Sequence, residues 1–195
     1  MPLFLAAALA GCGVIGTARQ LTAAQEAIAD MKIDPSDLTI TGWVDRDDRT
    51  YRTGQRIKFS VWVNRDAYVA VLRVLRNGKT TLLFPNKLQP KAMVPASMTV
   101  NIPGAGDRFE IVAGKQTPEL IEFVASTKGD SWLFTRKPEG SATFVELGTT
   151  TKELAKDIAA ALEGKGDGEG KDKDKDKGKG GKAMGAAQSM ILAIE

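Results

Sequence analysis

The chain has 195 residues, 43% of them hydrophobic and 26% charged, which suits one soluble globular domain with room for a sizeable core. The net charge of +3 is no nucleic-acid footprint, because residues 164–182 alone supply +2 through seven Lys against four Asp and one Glu. Histidine is absent, which removes His triads, His general bases and the commonest metal ligand; the single cysteine, Cys12, excludes an internal disulfide and a cysteine metal cluster.

Residues 1–12 are a short apolar run ending in Leu9-Ala10-Gly11-Cys12. The run is too short to span a bilayer and has the form of a secretory signal core. Its ending resembles the bacterial lipobox, in which Cys12 receives a diacylglyceryl thioether and becomes residue one after cleavage. A basic residue before the run is missing, so either translation starts further upstream or the amino terminus supplies the charge. Gly13 stands where Asp would retain a lipoprotein at the inner membrane, and by that resemblance the outer membrane is favoured. Residues 13–36 read as a tether or a short helix, with Leu21, Ala24, Ile28 and Met31 forming a narrow stripe.

From residue 37 onward the pattern is that of strands. Residues 38–44 alternate Leu38, Ile40, Gly42 and Val44 against Thr39, Thr41 and Trp43; residues 57–63 alternate Ile57, Phe59, Val61 and Val63 against Lys58, Ser60 and Trp62. The connection between them holds Asp45, Asp47 and Asp48, but with Arg46 and Arg49 interleaved it reads as a charged turn and not a calcium loop. Residues 68–76 and 79–84 form a hairpin about Asn77-Gly78, for which a type I′ turn sets Val74 opposite Thr81 and Leu72 opposite Leu83. In that register Ala70, Leu72, Val74 and Leu83 share one face; Val69, Val71, Leu82 and Phe84 share the other, broken by Arg73. With both faces apolar, the hairpin needs a cover on each side.

Further strands are expected at 98–102, 109–112, 120–125 and 143–147. Gly104-Ala105-Gly106 reads as a turn, having no third glycine and no following helix for a phosphate loop. Thr150 and Glu153 fit a capping box before a helix over 151–163, whose stripe of Leu154, Ala155, Ile158, Ala159 and Leu162 is the expected cover for the hairpin. Residues 164–182 contain only Gly, Lys, Asp and Glu and read as a disordered insertion. The apolar segment 187–194 is then expected to return to the sheet as a last strand.

Tyr51-x-x-Gly54, the Asp66-Ala67-Tyr68-Val69 strand start, Leu83-Phe84-Pro85-Asn86, Val94-Pro95-Ala96, Ile102-Pro103 and the 120–126 segment recur in this order in one family. Over residues 45–130 the chain resembles the DUF4384 family, a bacterial domain of exported proteins that also occurs beside protease-like or kinase-like modules. The resemblance implies an immunoglobulin-like antiparallel β-sandwich with a sensing, docking or envelope role, and it carries no catalytic residues.

These readings make residues 37–195 a mainly β domain, a sandwich with one amphipathic helix on a sheet face. The chain is expected to be a lipid-anchored envelope protein, held to the membrane through Cys12, whose β domain binds an envelope partner without enzymatic chemistry. No cofactor, metal or nucleic acid is implied. The alternative is a domain that senses a small molecule or glycan through Trp43, Trp62 or Trp132. A Ser–Lys or paired-carboxylate enzyme is the third and weakest reading, since no serine stands in a nucleophile elbow or a Ser-x-x-Lys setting. Binding is sought on the loops 45–49, 86–91 and 104–107, hence Asp45, Asp47, Asp48 and Asn86, or on an open sheet edge.

Overall fold

A computed structural model describes residues 20–147, 150–163 and 183–195. The signal at 1–12 with Cys12 and the insertion at 164–182 lie outside the described residues. Among the described residues the helices are α1 (Ala23–Ala29), α2 (Trp132–Thr135) and α3 (Thr151–Leu162). The longer strands are β1 (Ile40–Val44), β4 (Phe59–Val63), β5 (Ala67–Val74), β6 (Thr80–Phe84), β8 (Thr99–Ile102), β10 (Glu119–Ser126) and β12 (Gly185–Ile194). Short pieces complete the set: β2 (Thr50–Tyr51), β3 (Arg56–Ile57), β7 (Met93–Val94), β9 (Ile111–Val112) and β11 (Val145–Leu147). The large sheet runs β11-β6-β5-β10-β12-β2, with β7 also on β5; a second sheet runs β1-β4-β8, and β3 pairs with β9.

The protein is mainly β, and the large sheet is covered on both faces. All eight residues of β10 are buried, because it lies between β5 and β12 in the plane and between two layers across it. On one face Val69, Val71, Ile121 and Phe123 meet Ile40, Phe59, Val61 and Val63 of the three-stranded sheet. On the other, Leu72, Val74, Leu82, Leu120 and Val124 meet Ile28, Leu133, Leu154, Ile158 and Leu162 of the three helices. The helix expected as cover, α3, is there, but α1 and α2 share the task.

Three local expectations are corrected. The hairpin register differs from a type I′ turn, since Val74 faces Thr80 and Leu72 faces Leu82. Gly78 N–H donates to Leu75 O, Leu75 N–H to Lys79 O, and only Gly78 of the turn has positive φ, at 83°. That is a three-residue loop with glycine in the bulge position, which adds one residue and shifts the pairing. Leu82 therefore joins the helical face and Leu83 the sandwich face. A second irregularity at Val71/Leu72 restores the expected offset, so that Phe84 faces Val71 and lies with Leu83 in the sandwich core.

The expected strand over 57–63 is split at Lys58. Its Ile57 end pairs with β9, and Phe59–Val63 pairs with β1 and β8. All four inward residues are buried as the alternation requires.

The capping box forms at the other helix. Thr150 holds the N-cap of α3, but its hydroxyl donates to Glu153 Oε2 (2.8 Å) and caps no backbone N–H. At α1 the Thr22 hydroxyl accepts from Gln25 N–H, and Gln25 Oε1 accepts from Thr22 N–H (3.1 Å). The same Gln25 amide, fully buried, donates to Val74 O (3.0 Å) and Pro118 O (2.9 Å). Residues 23–29, in the segment read as tether or short helix, are thus helical and packed into the folded body.

β12 returns along the whole of β10 and ties the two sheets together. Gly42 N–H in β1 donates to Gln188 Oε1 (2.7 Å), and Gln188 Nε2 donates back to Gly42 O (3.1 Å). A side-chain amide here does for β1 what a neighbouring strand would do, closing part of an open edge. The contact needs glycine, because a Cβ at position 42 would sit 2.5 Å from the Phe123 ring. Gly42→Ala is expected to destabilise the fold by about 1–3 kcal/mol through overpacking. Urea unfolding measures it, with Thr41→Ala on the outward face as a control moving by less than about 0.5 kcal/mol.

Candidate functional site

The three-stranded sheet turns Ile40, Gly42, Val44, Phe59, Val61, Val63 and Ile102 inward. Alternation then sets Thr41, Trp43, Ser60, Trp62, Thr99 and Asn101 outward. Trp43 faces Ser60 and Thr41 faces Trp62, so the two indoles are diagonal neighbours on one face, roughly 7–8 Å apart at the backbone. Trp43 is 40% exposed and Trp62 is half-buried. Ser60 Oγ donates to Asn101 Oδ1 (2.8 Å) beside them. The result is an open pleated surface with two large rings and a border of hydroxyls and amides. Rings presented in this way can stack or bury apolar area.

The other expected site residues are not gathered there. Trp132 opens α2 on the helical side, packed on the second core with the Arg136 guanidinium 5.9 Å from its ring centroid. Asp45 Oδ1 accepts from the Tyr51 hydroxyl (2.7 Å) and from Lys58 N–H (3.1 Å). Burial, and secondarily the Asp45 carboxylate, push the Tyr51 phenol well above its ordinary value. Asp48 accepts from Thr50 N–H (3.1 Å), which holds its carboxyl below the ordinary value, and it pairs with Arg46 at 3.4 Å. Asp47 stands exposed. The three carboxylates serve a turn, and among the described residues no three acidic groups converge as a ligand set. Asn86 is 2% exposed, donating to Leu83 O (2.8 Å) and accepting from Leu88 N–H (2.9 Å) and Gln89 N–H (2.8 Å). Its amide organises the 86–91 loop from within.

Two acids on β10 escaped the sequence reading. Glu119 is fully buried; Arg73 Nη2 lies 2.6 Å from its Oε1, and Gly114 N–H donates to the same oxygen (2.7 Å). Arg73 is the residue that breaks the apolar face of β5, and the Glu119 carboxylate is the reason it can. A Cβ on Gly114 would lie 2.6 Å from that oxygen, so the approach depends on glycine.

Glu122, three residues on, faces the helical side of the sheet and is 1% exposed. Ser189 on β12 donates its hydroxyl to Glu122 Oε2 (2.5 Å). The carboxyl lines a cavity of about 520 Å³ bounded by the segment after α1 and by the edge of β12. Burial raises its pKa from 4.5 to about 8, with the Ser189 hydrogen bond opposing the shift.

A carboxyl whose folded-state pKa is raised binds its proton more tightly when folded. Its contribution is therefore complete below about 4.5 and is lost as pH climbs through about 8. Relative to Glu122→Gln, the parent should lose stability across that window by up to about 1.4 kcal/mol per pH unit and level off above it. Urea unfolding of both proteins at about pH 5, 6.5 and 8 reads the difference, and a difference independent of pH contradicts it.

Neither the search of curated proteins nor that of solved structures returned a match. Residues 50–129, from β2 to just beyond β10, match the model of a family described as a domain of unknown function. That span, which holds the hairpin, β10 and the Arg73–Glu119 pair, is similar to the DUF4384 family.

Proposed function

We propose that this protein is a lipid-anchored component of the bacterial envelope whose β domain is a non-enzymatic module for binding another protein. The observation that carries the reading is the pairing of Trp43 and Trp62 on the outward face of the three-stranded sheet. Indoles dominate protein interfaces because each removes a large apolar area from water while freezing few torsions. The face is open and pleated, a shape suited to a protein surface, whereas small ligands are usually enclosed in a concave site. The rings stand on strands of a packed sheet, so little order remains to be gained on binding.

The groups that would carry an enzymatic reading have structural partners. Ser60 is hydrogen-bonded to Asn101, Asp45 to Tyr51 and Lys58, and Glu119 to Arg73 and Gly114. Anchoring rests on the Leu9-Ala10-Gly11-Cys12 ending, and the outer membrane on Gly13. Among the described residues no helix is long and apolar enough to cross a membrane.

Cys12→Ser should move the protein from the membrane fraction to the soluble fraction and abolish incorporation of radiolabelled fatty acid. Retention of both properties would reject the anchor. For the binding face, Trp43→Ala with Trp62→Ala should weaken capture of the partner cross-linked in intact envelopes by about 30-fold or more, the loss of about 2 kcal/mol typical of an interface hot spot. The far-UV spectrum and urea midpoint report whether the fold is preserved; undiminished cross-linking would remove the face from consideration.

A further inference from the structure

The tip of the β5–β6 hairpin carries chemistry of its own. Asn77 is exposed there and is followed by Gly78, which has positive φ (83°) and no Cβ. An asparagine side chain can react with the next backbone nitrogen to close a succinimide ring, and the following side chain is what obstructs the closure. Glycine removes that obstacle.

Hydrogen bonds at the turn set the starting geometry. Lys79 N–H donates to Asn77 Oδ1 (3.0 Å), which holds the side chain back along the turn and draws electron density from Cγ. Gly78 N–H donates to Leu75 O (2.9 Å), which occupies the nitrogen that must attack, so the reaction waits for the tip to open locally. The other three asparagines are placed differently. Asn64 donates to Asp37 O and accepts from Thr39 N–H, each at 2.7 Å, and precedes Arg65. Asn86 is buried with three hydrogen bonds and precedes Lys87. Asn101 lies in β8, accepts from Ser60 and precedes the β-branched Ile102.

The tip is also a junction. Thr22, at the cap of α1, donates its hydroxyl to Arg76 O (3.1 Å). A Cβ on Gly78 would lie 3.4 Å from Ala24 Cβ and 3.5 Å from Thr151 Cγ2, so α1 and α3 both rest against it. The hollow beside it, about 580 Å³ and lined by Ala24, Asn77 and Thr151, has room for water.

We propose that Asn77 is a site of spontaneous deamidation whose isoaspartyl product loosens α1 from the hairpin. The Gly78 nitrogen attacks Asn77 Cγ, the bond from Cγ to Nδ2 breaks, and ammonia leaves with the proton that the Gly78 amide gives up. The succinimide then takes up one water, the only co-reactant. Opening at the side-chain carbonyl gives aspartate, and opening at the main-chain carbonyl gives isoaspartate; either product carries a new carboxylate. Aspartate keeps the backbone as it was. Isoaspartate routes it through the side chain and adds a methylene before Gly78. The spacing that lets Leu75 N–H reach Lys79 O while Arg76 O meets Thr22 is then lost.

The test ages the purified full chain at about 37 °C in water enriched in ¹⁸O, which labels each carboxylate formed, and maps the peptides by mass spectrometry. Fragmentation that separates aspartate from isoaspartate identifies the products. Residue 77 should be labelled roughly tenfold faster or more than Asn64, Asn86 or Asn101, with both products present. Amide hydrogen exchange over residues 23–29 should quicken about threefold or more in the isolated isoaspartyl fraction and stay near the parent rate in Asn77→Asp. Labelling at residue 77 no faster than at the other asparagines, or exchange over 23–29 that is alike in the parent and isoaspartyl forms, overturns the proposal. The parent chain decides both comparisons even if the variant does not fold. Neither outcome bears on Cys12, Trp43 or Trp62, so the binding reading stands or falls separately.

Discussion

The structure depends on one buried strand. β10 has neighbours on both edges and no exposed residue, so its Leu, Ile, Phe and Val side chains must be screened from water on two sides at once. Each large apolar side chain taken fully out of water contributes about 1.5–3 kcal/mol, and β10 with β5 presents such side chains to both layers. One face is met by a second sheet. The other is met by helices of seven, four and twelve residues, all at or below the length that holds together alone in water. Their order follows from the sheet they cover. Gln25 makes this concrete, since one buried amide both closes the cap of α1 and fastens that helix to β5 and to the turn before β10.

A covered sheet leaves the problem of its neighbours' edges. The three-stranded sheet is narrow, and β1 would present an unpaired edge if β12 did not reach it with Gln188. Phe123 projects from β10 into the space left by the missing side chain of Gly42, in edge contact with Phe59 at 6.2 Å between centroids. Two sheets are thereby locked at one corner by an amide pair and an aromatic ring. What the small sheet does not bury is its outward face, and this is where Trp43 and Trp62 stand. The candidate interface is thus a by-product of how the core is closed: the inward face is used, and the outward face is free to be selected for contact.

Much of this was legible in the chain. Strict alternation over 38–44 and 57–63 identified the inward residues, because a period of two allows a single assignment of faces. The double-sided apolar hairpin correctly demanded a cover, and the stripe from Leu154 to Leu162 correctly supplied one. The hairpin's register was not legible from Asn77-Gly78. The dipeptide suits a two-residue I′ loop and also a three-residue loop with glycine in the bulge, and the choice between them moves Leu82 and Leu83 to opposite faces. The position of α2 was hidden too, as four residues are too few for a period to show. Asn86 and the acids at 45, 47 and 48 have the composition of a binding loop, yet the hydrogen bonds that form consume Asn86, Asp45 and Asp48 in shaping the loops themselves.

The strand period separates Glu119 from Glu122. Three residues apart on a strand, they must point to opposite faces, so one partner cannot serve both. Arg73 breaks the apolar face of the adjacent strand, which makes it the natural counter-ion for whichever acid shares that face, and the register gives it to Glu119. By elimination Glu122 has to manage on the helical side, where the described residues bring it a serine hydroxyl and an open cavity instead of a guanidinium. A buried pair is replaceable by apolar side chains at little loss, and its presence says little about function. Glu122 is managed differently: burial raises its pKa to about 8, so at neutral pH the fold keeps it as a neutral acid hydrogen-bonded to Ser189 and needs no counter-ion for it.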